Sequence, residues 1–179
     1  MLRLFVALPL APDLKSRLAG LAGGLPGARW VPEDNLHITL RFAGEVDEPT
    51  ADAIDQALAG IHQPAFPLTL AGVGLFGQPR GVSTLWVGVE RSDALFQLQD
   101  RIERAMVRAG LAPERRRFHP HVTLARLKAT PATRLEPFLA GNNLLTVRME
   151  ADRFTLFSSH LGRGDPVYRP ECDYPLGGL

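Results

Sequence analysis

The sequence predicts an α+β protein of two lobes, pseudo-two-fold duplicated β-α-β units with mostly antiparallel sheets around a central cleft. Three observations predict it. The order strand, helix, His-bearing strand, helix, strand can be read twice along the chain. The two His-bearing strands carry one pattern, His37-Ile38-Thr39-Leu40 and His121-Val122-Thr123-Leu124. No linker, low-complexity tract or charge block divides the halves, so residues 1–179 are expected to pack as a single bilobal domain.

Leu2 to Leu8 reads as a buried strand. Pro12 suits a first helical turn, with Leu14, Leu18 and Leu21 on one face and Gly23-Gly24 as the stop. Trp30-Val31-Pro32 leads into the first His strand, Leu36 to Ala43, which Gly44 is expected to end. A helix from about Pro49 aligns Ile54, Leu58 and Ile61. Phe66, Leu68 and Leu70 then alternate, and Pro67 assigns that strand to an edge or a strand start.

The second half follows suit. Leu85, Val87 and Val89 form a strand, and Ser92 or Asp93 caps a helix bearing Leu95, Leu98, Ile102 and Ala109, which Gly110 closes. The second His strand spans His121 to Leu127. Thr130-Pro131 opens a short helix with Pro137 inside it, and Leu145, Val147 and Met149 alternate as a strand. Phe154 to Phe157 is expected to pair with a piece around Val167-Tyr168 as a hairpin across Gly162-Arg163-Gly164-Asp165.

Composition narrows the function classes. With 45% hydrophobic and 22% charged residues and a net charge of +1, the chain has no global basic signal for nucleic acid, so any attraction for phosphate is local. The single Cys172 excludes an internal disulfide and a cysteine zinc cluster, which fits a reducing compartment. The apolar opening imitates a signal peptide, but Pro9, Pro12 and Asp13 argue against one. No apolar run approaches the roughly 20 residues that span a bilayer. A cytoplasmic monomer without a membrane partner is the expectation.

In a strand, residues two apart share a face, so each His points the same way as its Thr while Ile38, Leu40, Val122 and Leu124 point into the core. Two imidazoles over one cleft suit general acid–base catalysis, because each titrates near neutral pH and small differences leave one neutral and one protonated. In-line displacement at a phosphodiester uses such a pair, and the two hydroxyls supply donors to the oxygens where charge builds. A strained cyclic phosphodiester needs no metal or other cofactor for this. Arg41 continues the His37, Thr39 face in regular register and is placed to reach a phosphate. Arg126 falls on the opposite face unless a bulge turns it inward. Arg117, in the Arg115-Arg116-Arg117 run beside His121, is the candidate for a local RNA-backbone contact. Phe42, Phe157, Tyr168 and Trp30 are candidates for stacking a base. A three-His metal site from His37, His119 and His121 is the competing arrangement, without a spaced carboxylate ligand.

At these residues the chain resembles the two-histidine (2H) phosphoesterase superfamily, and most of all the RNA 2′,3′-cyclic phosphodiesterases also named 2′-5′ RNA ligases. The likeness rests on Arg3-Leu4-Phe5-Val6-Ala7-Leu8, on Trp30 to Leu40 running into Phe42-Ala43-Gly44, and on Leu85-Trp86-Val87-Gly88-Val89. It continues through Phe118-His119-Pro120-His121-Val122-Thr123-Leu124-Ala125-Arg126 and Phe157-Ser158-Ser159. The resemblance implies hydrolysis of RNA 2′,3′-cyclic phosphate to a 2′-phosphomonoester, together with reversible 2′-5′ ligation. It implies His37 as proton donor to the leaving 3′ oxygen, His121 as acceptor that activates water, and Thr39 and Thr123 as phosphate holders. The same chemistry on a cyclic phosphate of ADP-ribose or on 2′-5′ oligoadenylate is an alternative, as is a non-catalytic RNA-end-binding module. Arg169-Pro170-Glu171-Cys172-Asp173 departs from the apolar pattern the family keeps in its last strand.

Overall fold

The computed structural model describes residues 1–78 and 80–177, so the last two positions of the expected 1–179 domain lie outside the described residues. Chain order is β1 (Leu2–Pro9), α1 (Pro12–Ala19), β2 (Ala28–Trp30), a 3-10 turn (Glu33–Asn35), β3 (His37–Val46), α2 (Glu48–Ala59) and β4 (Phe66–Gly77). It continues with β5 (Val82–Val89), α3 (Asp93–Arg108), β6 (His121–Lys128), α4 (Ala132–Asn142), β7 (Thr146–Ala151), β8 (Arg153–His160) and β9 (Val167–Pro175). Local chemistry explains the helix starts. Pro12 opens α1, Asp47 accepts the Thr50 N–H at the head of α2, and Ser92 accepts the Leu95 N–H at the head of α3.

Among the described residues the strands form one sheet in the order β7-β4-β5-β6-β3-β1-β8-β9, with the short β2 added on β6. Every pairing is antiparallel. The sheet is symmetric about the β3–β6 junction, so β1 corresponds to β5, β8 to β4 and β9 to β7. The two halves of the chain exchange strands between lobes: β4 of the first half pairs with β5, and β8 of the second half pairs with β1. The strand expected around Leu145–Met149 is β7, seated outside β4. This exchange ties the lobes together, and one continuous apolar core runs through both.

Helix α3 buries Leu95, Leu98, Ile102, Ala105 and Met106, packs on β3 and lies against α2. Pro67 sits at the start of β4, before the pairing with β5 begins at Leu70, which is where a residue without an N–H is tolerated. The strand β9 forms despite Arg169–Asp173, because it is an edge strand and a bulge opposite Leu156/Phe157 absorbs Glu171. Among the described residues no helix is long and apolar enough to cross a membrane.

Candidate active site

The cleft is built by two copies of one local deviation. In β3, Ala7 of β1 pairs with Thr39 and Val6 with Arg41, so Leu40 is an extra residue. In β6, Trp86 of β5 pairs with Thr123 and Leu85 with Ala125, so Leu124 is the extra residue. Each bulge reverses the alternation just after the His-x-Thr pair. The side chain five positions after each histidine consequently joins the histidine's face: Phe42 in one lobe, Arg126 in the other. Both line a cleft of about 440 Å³ together with His37, Thr39, His121 and Thr123.

Arg41 is the casualty of the same bulge. The regular register that aimed it at the cleft does not hold, and it turns under the sheet, where it is 8% exposed. There it donates to Glu103 of α3, to the Phe42 carbonyl (2.5 Å) and to the Ala112 carbonyl (2.6 Å). Its expected phosphate contact is thus corrected to a structural tie. Arg126, read as outward in a regular strand, is brought inward. Arg117 lies outside this cleft and lines an adjoining hollow. Its neighbour Arg116 is paired to Glu114 (3.1 Å), whose carboxyl that guanidinium holds down at about 2.

The two histidines are pinned alike. His37 Nδ1 lies 2.6 Å from the Asn35 carbonyl, and His121 Nδ1 lies 2.6 Å from the His119 carbonyl. A carbonyl only accepts, so both Nδ1 atoms carry the proton and each neutral ring is left with Nε2 as its acceptor. The Thr39 hydroxyl meets His37 Nε2 at 2.8 Å. Such tautomer control by the main chain leaves one reactive nitrogen per ring.

Their surroundings differ. His37 is walled by Phe5 (5.1 Å between ring centroids), by the edge of Tyr168 (5.4 Å) and by Phe157 (6.5 Å). Burial among these rings, with smaller repulsions from His121 and Lys15, lowers its pKa to about 4, against the bond to Asn35 that favours the charged form. His121 sits at a more open edge, with Phe76 perpendicular to it at 5.0 Å and Trp86 at 6.5 Å. Burial pushes the Tyr168 phenol up, so it stays a neutral hydroxyl in the cleft at neutral pH.

The rim is closed by contacts between sequence-distant segments. Arg29 of β2 bridges to Asp165 (2.9 Å), and Asn35 donates to the Pro166 carbonyl (2.8 Å). Trp30 packs on Phe138 and also lines the cleft, whereas Phe157 stacks on Phe5 beneath it. Sequence reading missed Arg29, Phe5 and Phe76, since none stands in a repeated motif and each reaches the site through strand pairing. Among the described residues no group of three His, Cys, Asp or Glu side chains is arranged to hold a metal ion, and His119 faces the adjoining hollow.

Two oriented imidazoles, two hydroxyls and the Arg126 guanidinium, which makes no ion pair among the described residues, line a single cleft on an antiparallel bilobal scaffold, an arrangement suited to displacement at a phosphate diester. The family model for the 2'-5' RNA ligase superfamily matches residues 5–163. The chain belongs to the 2'-5' RNA ligase superfamily. It is 39% identical to the RNA 2',3'-cyclic phosphodiesterase of Aeropyrum pernix, over 82% of this chain and 84% of that one. It is 31% identical to the RNA 2',3'-cyclic phosphodiesterase of Thermotoga maritima, over 99% and 98%. The fold matches apo E. coli LigT with a TM-score of 0.82 at 29% identity, over 99% of this chain and 98% of that one.

Proposed function

We propose that this chain is an RNA 2′,3′-cyclic phosphodiesterase that opens the cyclic phosphate to a 2′-phosphomonoester without a metal. The observation that carries the reading is the matched pinning of the His37 and His121 rings on the carbonyls two residues before them, with both rings lining one cleft. The names of the Aeropyrum pernix and Thermotoga maritima relatives support it, as does a structure of E. coli LigT complexed with 3'-AMP, which this fold matches with a TM-score of 0.77 at 28% identity over 98% of both chains.

In this reading His121 Nε2 takes a proton from the attacking water, and His37, charged once the anion is bound, gives one to the departing 3′ oxygen. Thr39 and Thr123 donate to the non-bridging oxygens, and Arg126 holds the phosphate charge. Phe42, 55% exposed on the cleft side, offers a face for the terminal base. The reading draws on no group from a second copy, and a monomer acting as one bilobal domain over 1–179 is the expected state. The expected compartment is the cytoplasm.

Incubation with an oligonucleotide ending in a 2′,3′-cyclic phosphate tests the reading. A 2′-phosphate product formed equally well in EDTA is expected. A 3′-phosphate product would exchange the donor and acceptor roles, and tight binding with no turnover would leave an RNA-end-binding module. Faster turnover of a cyclic phosphate of ADP-ribose or of 2′-5′ oligoadenylate would reassign the substrate, and zinc-restored activity would reassign the mechanism.

A further inference from the structure

Arg29 of β2 stands directly opposite Arg126 of β6 in an antiparallel pair, so the two side chains share a face, and both line the cleft. Residues opposed in this way have Cβ atoms about 4.5–5.5 Å apart, and like charges so placed repel each other. A single carboxylate offsets the repulsion. Asp165 Oδ1 accepts from Arg29 Nε at 3.0 Å and lies 2.9 Å from a terminal nitrogen of the same guanidinium, while Arg126 makes no ion pair among the described residues. Asp165 is held in place by its own loop, because Asn35 donates to the carbonyl of the next residue, Pro166 (2.8 Å). Among the described residues that line the cleft, Arg29, Arg126 and Asp165 are the side chains of fixed charge, and together they leave one positive charge. That balance suits a cyclic phosphodiester, which carries one negative charge. Opening by water leaves a phosphomonoester with a charge of about −1.5 to −2 near neutral pH.

Resting on the function proposed above, we infer that Arg29 is a second phosphate-binding residue that takes up the extra charge of the phosphomonoester product, and that Asp165 is the internal anion with which the product competes. The substrate is held by Arg126 while the Arg29–Asp165 bridge stays closed. Once the ring opens, the added charge lies within reach of both guanidiniums, and Arg29 exchanges the carboxylate for a phosphate oxygen. The bridge is built for such an exchange. Its side chains are 66% and 41% exposed, and an ion pair this accessible contributes little to folding and re-forms readily. A guanidinium also has five N–H donors, more than one carboxylate oxygen can engage. As the product leaves, Asp165 takes Arg29 back, so the same carboxylate limits how tightly the product is retained. The two arginines and the aspartate thus distinguish a monoester from a diester by charge.

The test compares two unreactive ligands, 3′-deoxyadenosine 2′-phosphate and its methyl ester. At about pH 8 they differ by one charge, and neither has the neighbouring hydroxyl that could close the ring. Calorimetric Kd values for the pair give a monoester-to-diester preference for wild type, Arg29→Gln and Asp165→Asn. Arg29→Gln is expected to lower that preference about tenfold, as loss of a charge-assisted hydrogen bond would, and Asp165→Asn to raise it by a similar factor. The opposite signs separate binding from scaffolding. Both substitutions break the same bridge, so a purely structural role for Arg29 would move the preference the same way in both. Shifts of one sign, or a preference unchanged in Arg29→Gln, overturn the assignment. Opposite shifts in a protein that opens no cyclic phosphate would keep the two-guanidinium site and refute the hydrolysis reading.

Discussion

Ile38 and Val122 pair with each other where β3 meets β6, at the centre of the sheet. Carrying that antiparallel register one residue each way sets His37 opposite Thr123 and Thr39 opposite His121. Each lobe's imidazole thus faces the other lobe's hydroxyl. The pairing brings together four side chains that the sequence holds far apart. A slip of one residue at this junction would misalign both pairs, which makes the register here a functional feature as well as a structural one.

Losing either imidazole removes one of two proton transfers. His37→Ala and His121→Ala are each expected to lower kcat by roughly 10² to 10⁴. Single-turnover assays with cyclic-phosphate RNA check this, and wild-type kcat in either variant would remove that histidine from the mechanism.

The hydroxyls act on developing charge, so Thr39→Val and Thr123→Val should lower kcat by about 10². Thr39 also bonds His37 Nε2, so its removal should shift the His37 titration, whereas removal of Thr123 should leave that titration in place. Ring-proton chemical shifts against pH distinguish the two.

The low pKa of His37, about 4 in place of 6.5, has a defined sign for stability. The unfolded chain binds the proton first, so from pH 6.5 down to about 4 this group costs folding stability progressively, with a slope of at most about 1.4 kcal/mol per pH unit. Urea midpoints for wild type and His37→Gln, compared from pH 7 to pH 5, should diverge in that direction. A bound phosphate monoester supplies the opposite charge and should raise the His37 pKa toward neutrality. If NMR shows it still near 4 with the 2′-phosphomonoester bound, the donor role passes to His121.

The helices, the duplicated order and the four cleft residues were legible because each rests on local information: apolar spacing, caps and a repeated His-x-Thr. The fates of Arg41 and Arg126 were not, and for a single reason. Strand parity predicts facing only while the strand is regular, and nothing in Leu40 or Leu124 announces a bulge. The repeat itself held a clue, since the residue five after each histidine is Phe42 or Arg126 and the two occupy equivalent places. The extension of β4 to Gly77, which carries Phe76 to His121, was not legible because the apolar alternation that marks the strand runs only from Phe66 to Leu70, and Gly72, Gly74 and Gly77 beyond it have no side chain to continue it. In the fold, Gly74 is where the Trp86 ring crosses β4: a Cβ there would come within 2.4 Å of the indole.

That crossing makes Gly74→Ala informative. The indole must shift, and Trp86 packs against both Phe76 and His121. The variant should remain folded and lose activity through a displaced His121, read at one fixed pH as moved His121 ring-proton signals with those of His37 retained. Unmoved His121 ring signals would show that Trp86 plays no part in placing that ring.

Arg126 and Arg41 offer the sharpest contrast, because regular strand geometry assigns them each other's roles. Arg126→Gln is expected to leave the unfolding midpoint close to wild type and to raise KM about tenfold or more, as loss of a charged hydrogen bond to phosphate would. Arg41→Met should do the reverse. It strands the partly buried Glu103 carboxylate and frees the Ala112 carbonyl, cutting the tie between β3 and the loop that leads to His121. Breaking a buried pair from one side costs on the order of 3–5 kcal/mol, and the partial exposure of Glu103 puts this case at or below the lower end. The double substitution Arg41→Met, Glu103→Leu should recover much of that stability, since no uncompensated charge remains. Recovery of the urea midpoint without any change in KM would locate Arg41 in the scaffold, whereas a KM effect that the double variant fails to relieve would return it to the phosphate.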